Sequence, residues 1–266
     1  MTEPNGERVE IFLAGVQKAG TTSLHTYLAE HPQLLAPRKK ETHFFDRESV
    51  DWARPDYEND FHRPFYPEWN GDLLAYDATP ITIFWPPSIE RILDYNQRAK
   101  FIFLFRDPIE RAFSHWRMEV GRDAESLPFA AAIREGRRRM DGLPDLHPDR
   151  RVYSYVERGM YAEQLDRALA LVPRDQMLFL PSQDLETDPF RTLGRIADFL
   201  SISPFRDTSP RRVFVGQPSV GKDLEQSDVD YLRAIFREDT RRFASLTGID
   251  VSHWLVTQQS TDPHAH

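Results

Sequence analysis

The sequence predicts an α/β fold with a mainly parallel sheet, and three observations support this prediction. Short apolar segments of strand length alternate with segments in which apolar residues recur at helical spacing. The composition is globular, with 40% hydrophobic and 29% charged residues in a chain of 266. The 18 phenylalanines and five tryptophans can fill a sizeable core. Disordered, collagenous and fibrous classes are therefore excluded.

Four apolar segments are predicted to form strands, since each reads like a strand buried on both faces of a parallel sheet. They are residues 9–14, 73–77, 100–105 and 177–180. Helices are predicted over residues 22–30, 87–97, 190–200 and 229–246, and two more are expected to open at Pro128 and Tyr155. The best-marked helix start has Asp107 at the N-cap, Pro108 at the first helical position and Glu110 three residues after the cap.

Charge and composition exclude several function classes. The absence of cysteine excludes disulfide scaffolds, cysteine-ligated metals and thiol nucleophiles. The net charge of −8 argues against a nucleic-acid partner, so a bound anion needs a local site. No His/Asp/Glu cluster has convincing metal spacing. The N-terminus is polar without a signal-peptide core, and no apolar segment is long enough to span a bilayer, so we expect a cytoplasmic protein without membrane insertion.

The loop after the first strand has the composition of a phosphate-binding loop. It reads Gly-Val-Gln-Lys-Ala-Gly-Thr-Thr-Ser and leads into a helix, a context in which backbone N–H groups cradle a phosphate. The candidate binding residues are Gln17, Lys18, Ala19, Gly20, Thr21, Thr22 and Ser23. It is not a Walker A loop, because Thr21 stands where that motif needs lysine. An ordinary strand–helix turn with a solvated lysine is the alternative.

The loop after residues 100–105 carries a second candidate anion site. Arg106 ends an apolar strand, and Ser114 follows about two helical turns later. A forked guanidinium contact and a hydroxyl could together hold a dianion. Alternatively, Arg106 is structural and pairs with Asp107 or Glu110, while Ser114 faces solvent.

Together the two loops resemble the nucleotide-binding motifs of the sulfotransferases that use PAPS (3′-phosphoadenosine 5′-phosphosulfate). Residues 15–23 resemble the 5′-phosphosulfate loop, and residues 105–114 resemble the 3′-phosphate motif. Residues 40–46, 77–80, 158–161 and 246–254 are similar to the branch that contains heparan sulfate sulfotransferases and bacterial relatives. The resemblance spans nearly the whole chain.

The resemblance implies a P-loop-like, three-layer α/β fold and metal-free transfer of a sulfuryl group from PAPS to an alcohol, which yields PAP and an O-sulfate ester. Lys18 would contact the bridging oxygen of the phosphosulfate, and the rest of its loop would hold the 5′-phosphate. Arg106 and Ser114 would hold the 3′-phosphate. Arg212 or Lys222 would cover the cofactor, although their loop matches only loosely. A site drawn from Lys18 to Ser114 implies one domain over residues 1–256 with a polar tail at 257–266.

In this branch a glutamate acts as general base, which here is Glu41, and His43 is the alternative base. Such a base needs a raised pKa, which burial beside Phe44 and Phe45 could supply. Without the resemblance, Glu41 and His43 would be polar side chains at a strand edge. Some relatives carry a lysine where Ala78 stands in this chain.

The acceptor stays open among small-molecule, lipid, carrier-bound and carbohydrate alcohols. The acidic balance disfavours a long polyanionic sugar. A loop rich in aromatic residues could line an apolar acceptor pocket or simply pack onto the domain; its rings are Trp52, Tyr57, Phe61, Phe65, Tyr66 and Trp69. Two alternative functions are a P-loop small-molecule kinase, which Thr21 disfavours, and a catalytically silent PAP-binding module. The sequence leaves the oligomeric state undetermined.

Overall fold

The computed structural model describes residues 8–210 and 224–257. The chain divides into two compact units, each built from two stretches of sequence. Unit 1 holds Met1–Phe105 and Arg167–Phe214, and unit 2 holds Arg106–Asp166 and Val215–His266. The single domain over residues 1–256 stays a prediction.

Unit 1 contains a five-stranded sheet in which every neighbouring pair is parallel. Its strands are β1 (Ile11–Gly15), β2 (Leu34–Leu35), β3 (Leu74–Asp77), β4 (Lys100–Phe105) and β5 (Met177–Pro181). The strand order is β2-β3-β1-β4-β5, so β1 is central. The α/β class and all four predicted strands are confirmed. The two-residue β2 is too short to produce a hydrophobic period.

Helices accompany the sheet in unit 1 and also build unit 2. In the described part of the chain they are α1 (Thr21–Ala29), α2 (Arg63–Phe65), α3 (Ser88–Tyr95), α4 (Pro108–Val120), α5 (Phe129–Met140), α6 (Arg150–Tyr153), α7 (Tyr161–Leu171), α8 (Ser182–Thr187), α9 (Pro189–Leu200) and α10 (Gln226–Thr247). The boundary between the units falls within α7. Most predicted helices lie within one or two residues of their expected bounds.

Aromatic rings fill the core of unit 1. All five residues of β1 are buried, as expected for a strand covered on both faces. The ring of Phe12 stacks on Phe101 with centroids 5.8 Å apart, and Phe101 stacks on Phe103 at 6.2 Å. Gly15 is required where β1 ends, because a Cβ there would lie 2.7 Å from Cγ2 of Ile83. The segment after β3 therefore packs directly against the end of β1.

The start of α4 in unit 2 confirms the capping pattern in the sequence. The Asp107 carboxylate accepts hydrogen bonds from the N–H groups of Ile109 (2.8 Å) and Glu110 (3.1 Å). Its second oxygen accepts from the N–H of Val256 at 3.2 Å. Asp107 therefore ties the start of α4 to the C-terminal segment of the same unit.

The helix expected to open at Tyr155 begins instead at Tyr161, so that prediction was wrong. The buried Arg158 explains the delay. Its guanidinium donates to the Ser154 hydroxyl (2.8 Å) and to the carbonyl of Arg151 (3.0 Å), which folds the chain back upon itself. Apolar residues in this stretch therefore face a packed turn rather than a continuous helix.

Two glycines inside helices are expected to respond oppositely to alanine. A Cβ at Gly136 in α5 would lie 2.7 Å from the carbonyl oxygen of Tyr153, whereas a Cβ at Gly194 in α9 would meet nothing within 4 Å. Gly136→Ala should therefore lower the free energy of unfolding by about 1–3 kcal/mol. Gly194→Ala should raise it by about 0.5–1 kcal/mol, because alanine favours the helix. Urea unfolding checks both values, and a shift of the same sign in both variants would contradict the close contact at Gly136.

Candidate active site

The predicted chemistry in unit 1 lies at the carboxyl edge of the sheet. There β1 lies between β3 and β4, and the N–H of Val16 donates to the carbonyl of Leu104 at 2.8 Å. After β1 the chain continues to β2, on the side of the sheet that also holds β3. The next strand after β4 is β5, which lies on the opposite side. Ligands of open parallel sheets bind at such a switch point.

The loop after β1 turns through two left-handed residues, Lys18 (φ 73°) and Gly20 (φ 85°). A Cβ at Gly20 would meet nothing within 4 Å, so this glycine is needed for its backbone angle and leaves open space beside it. Within the described residues, no side chain caps the start of α1 at Gly20. Gly20 therefore provides no side-chain acceptor for the start of α1, unlike Asp107 at the start of α4. Thr21 is buried, whereas Thr22 and Ser23 are half-buried.

A row of alternating charges follows in the segment of residues 40–46, here called the acid turn. The Lys40 ammonium lies 2.7 Å from Oε1 of Glu41. Oε2 of Glu41 lies 3.5 Å from Nε2 of His43, and Nδ1 of His43 lies 2.9 Å from Oδ2 of the buried Asp46. The structure therefore brings the two candidate bases into contact with each other. Both have left-handed backbones, with φ of 63° at Glu41 and 51° at His43.

The expected rise in the pKa of Glu41 was wrong. Burial does raise this pKa, but the hydrogen bond from His43 and the charge of Lys40 outweigh it and bring the pKa to about 2. Phe44 and Phe45 are buried as expected, yet the cations beside the carboxylate dominate. The hydrogen bonds to Asp46 and Glu41 raise the pKa of His43 to about 9 despite its partial burial. At neutral pH the pair is a carboxylate beside an imidazolium.

Asp77 lies beneath the acid turn at the end of β3. It is 3% exposed and accepts hydrogen bonds from Thr79, at 3.1 Å, and from Thr42. Burial raises the pKa of Asp77 to about 6 against the effect of these hydrogen bonds. Since Thr42 stands between the two left-handed residues, Asp77 holds the middle of the turn.

His25 connects α1 with β3 and feels the charge of the acid turn, which the sequence does not indicate. Its Nδ1 lies 2.9 Å from the hydroxyl of Tyr76. Burial lowers the pKa of His25, and the charge of Lys40 lowers it further. Asp46 was also missed as a partner, although it follows His43 at a spacing of three residues. Asp77 belongs to the sequence motif at residues 77–80, but its hydrogen bond with the distant Thr42 has no local sequence signal.

The second predicted site lies in unit 2, at the start of α4. Nε of Arg106 donates to Oε2 of Glu110 at 2.8 Å, so the pairing proposed as a structural alternative is present. In the described residues the terminal nitrogens of Arg106 have no protein acceptor, which leaves the fork of the guanidinium available to an anion. Ser114 lies two turns along α4 and is half-buried. Arg212 and Lys222 lie outside the described residues.

The aromatic loop is divided between two surroundings. Phe61 is fully buried and stacks on Phe44 with centroids 4.9 Å apart, so this part packs onto the acid turn. Tyr57 and Trp69 instead line a cavity of about 1160 Å³ that also includes Lys100. Because Lys100 is the first residue of β4, this cavity lies at the amino edge of the sheet, opposite the acid turn.

The described residues show neither a metal-binding cluster nor a membrane-spanning helix. Over residues 8–210 and 224–257, no group of three or more metal-ligating side chains is close enough to hold a metal ion. Within the same ranges no helix combines the length and apolar character needed to cross a membrane.

Comparison with known proteins decides the family. The profile of the family described as "Sulfotransferase domain" matches residues 8–214. The chain belongs to this family. It is 29% identical over 202 residues to human heparan sulfate glucosamine 3-O-sulfotransferase 3A1, covering 76% of this chain and 46% of that protein. It is also 29% identical to human heparan sulfate glucosamine 3-O-sulfotransferase 6, covering 91% of this chain and 72% of that protein.

A solved structure of the sulfotransferase family matches almost end to end. The sulfotransferase from Alicyclobacillus acidocaldarius is 27% identical, with a TM-score of 0.74 over 96% of this chain and 99% of that one. The sulfotransferase domain from the curacin biosynthetic pathway, at 16% identity and a TM-score of 0.53, shares the fold. The chain spans about half the length of several curated relatives, such as 3A1.

The His43 pKa gives a direct test of the acid turn. Its folded value of about 9 exceeds the ordinary value of 6.5, so the stabilisation from His43 is complete below about pH 6.5 and is lost as pH rises through about 9. NMR titration of the imidazole should give this raised value. Glu41→Gln should lower it, because one of the two anionic neighbours is removed. An unshifted pKa in the unaltered protein would contradict the ion-paired geometry.

Proposed function

We propose that this protein transfers a sulfuryl group from PAPS to the hydroxyl of an alcohol. The observation that carries the proposal is backbone conformation at the predicted catalytic residues. Among the described residues, five non-glycine positions are left-handed: Lys18, Glu41, His43, Asp123 and Ser201. The first three are the residues assigned to catalysis from the sequence. Strained backbone of this kind concentrates at functional sites, and family membership supports the same reaction.

The donor is assigned to two sets of residues, each with its own phosphate group. The loop of residues 17–23 and the uncapped start of α1 hold the 5′-phosphosulfate, with Lys18 at the bridging oxygen. Arg106 and Ser114 hold the 3′-phosphate. In an in-line displacement at sulfur, negative charge builds on the leaving phosphate oxygen. A fixed ammonium and helix N–H groups stabilise that charge.

Glu41, rather than His43, is the proposed general base. His43 is already protonated at neutral pH because Asp46 and Glu41 both stabilise its cation. Glu41 is ionised and can accept a proton. A low pKa does not prevent this transfer, because the acceptor oxygen becomes cationic as it bonds to sulfur and its proton becomes strongly acidic. Lys40 and His43 hold the carboxylate in place while it waits for the acceptor.

A P-loop kinase is not favoured. Such an enzyme needs a lysine after the second loop glycine, where Thr21 stands, and an acidic metal ligand at the end of another strand. Asp77, which ends β3, accepts hydrogen bonds from Thr79 and Thr42. Asp107, which follows β4, uses both of its oxygens to accept hydrogen bonds from backbone N–H groups. The capping role therefore already accounts for this carboxylate.

The acceptor class stays as broad as the family allows. An alcohol of a small molecule, lipid, carrier-bound chain or carbohydrate fits the proposed base. The curated relatives described above are named for heparan sulfate glucosamine, which makes glucosamine-containing sugars the first acceptors to assay. The cytoplasmic location remains a prediction.

Binding of PAP should stabilise the protein without magnesium. At 100 times its Kd, PAP should raise Tm by about 5–10 °C through mass action. Differential scanning fluorimetry with and without EDTA provides the measurement. Protection by magnesium-ATP with none from PAP would support a kinase instead. If the protein binds PAP but forms no sulfated product from any alcohol in a panel, the result would support a catalytically silent PAP-binding module.

Replacing the proposed base should separate turnover from donor binding. Glu41→Gln should reduce turnover by about 10²–10⁴-fold, because proton removal loses its acceptor, while the Kd for PAP changes little. Glu48→Gln is the matched control, since this nearby glutamate pairs with Arg91 and has no proposed role in catalysis. Radiolabelled sulfate transfer and calorimetry measure the two properties. An active Glu41→Gln enzyme would refute the base assignment.

A further inference from the structure

Tyr161, the first residue of α7, contacts the residue assigned to the 3′-phosphate. Its side chain is fully buried, and its hydroxyl donates a hydrogen bond to the main-chain carbonyl of Arg106 at 2.9 Å. Both residues belong to unit 2. The sequence motif at residues 158–161 thus ends in a side chain that reaches the start of α4, although the proposed chemistry gives this motif no part.

The hydrogen bond acts at the point where the direction of the Arg106 side chain is set. Asp107 caps α4, and Pro108 restricts the backbone of the residue before it. The carbonyl of Arg106 precedes the helix, so the helical hydrogen bonds do not hold it. The hydrogen bond from Tyr161 restrains the rotation of this peptide group, which adjoins the Cα from which the Arg106 side chain leaves the backbone. In a buried setting such a bond is stronger than in water.

Tyr161 is itself held firmly within unit 2. Its ring packs against Phe243 and Trp254, with centroids 5.5 and 6.3 Å away. The Asp239 carboxylate accepts hydrogen bonds from the N–H of Ala162 at 3.1 Å, which anchors the backbone directly after Tyr161. Burial raises the pKa of Tyr161, so its hydroxyl remains a donor. The hydroxyl therefore has a fixed position from which to orient Arg106.

We propose that Tyr161 is a positioning residue for recognition of the 3′-phosphate, acting through the Arg106 carbonyl without touching the nucleotide. The inference rests on the proposed function. It predicts that the Tyr161 hydroxyl contributes to binding only when the ligand carries a 3′-phosphate. PAP and AMP differ by this one group, so their affinity ratio isolates the effect.

The test compares Tyr161→Phe with Tyr155→Phe in the full chain. Tyr155 is equally buried in unit 2, but its hydroxyl donates to Glu125 at 3.2 Å. Calorimetry should show PAP binding to Tyr161→Phe weakened by about fivefold to tenfold, the effect of one lost hydrogen bond. AMP binding should not change. Tyr155→Phe should leave the PAP/AMP ratio as in the unaltered protein. In the transfer assay, Tyr161→Phe should raise KM for PAPS more than it lowers kcat.

A double-variant cycle with Arg106→Ala completes the test. Arg106→Ala should remove most of the preference for PAP over AMP, and adding Tyr161→Phe should then change the ratio no further. An unchanged PAP/AMP ratio in Tyr161→Phe, or an equal loss of both ligands, would overturn the positioning role. If the unaltered protein binds PAP no better than AMP, the assignment of Arg106 fails instead. The two failures are therefore distinguishable.

Discussion

The central position of β1 in a parallel sheet is the constraint on which the candidate site in unit 1 depends. Parallel pairing on both sides of β1 sends the chain out of β1, β3 and β4 at the same edge. Three strand ends therefore share this edge. The loop of residues 15–23 follows β1, Asp77 ends β3, and Phe105, the residue before Arg106, ends β4. Gly15 permits the close contact with Ile83 at that point, since any side chain there would collide with it.

Charge order determines what the acid turn can do. Cation and anion alternate from Lys40 through Glu41 and His43 to Asp46. The neighbouring charges and hydrogen bonds lower the pKa of Glu41 and raise that of His43. Buried Asp77 supports the turn from below through Thr42. Lys40 and His43 therefore hold the Glu41 carboxylate in position, and the same two cations make it a weaker base. A reaction in which the proton becomes acidic as the new bond forms tolerates that loss.

Local patterns predicted most of the fold, because buried parallel strands and capped helices leave short-range signals. The strand of Lys100–Phe105 and the Asp107 cap are examples. Interactions between distant segments leave no such signal. Examples are the effect of the Lys40 charge on His25, the hydrogen bond between Thr42 and Asp77, and the hydrogen bond from Tyr161 to the Arg106 carbonyl. The wrong prediction of the Glu41 pKa has a different cause, because Lys40 and His43 are even nearer in sequence than Phe44 and Phe45. Their effect depends on the turn that brings both cations to the carboxylate, and the sequence does not show that geometry.

The two helices assigned to phosphate groups begin in different ways. Gly20 opens α1 without a side-chain cap in the described part of the chain, while Asp107 already occupies the first N–H groups of α4. In the proposed assignment, the loop before α1 therefore offers backbone N–H groups and Lys18 to the 5′-phosphosulfate. The 3′-phosphate is left to the side chains of Arg106 and Ser114. These two groups of residues are separate in the sequence, so the proposed assignment lets nucleotide preference change at α4 while the loop that holds the reacting group stays as it is.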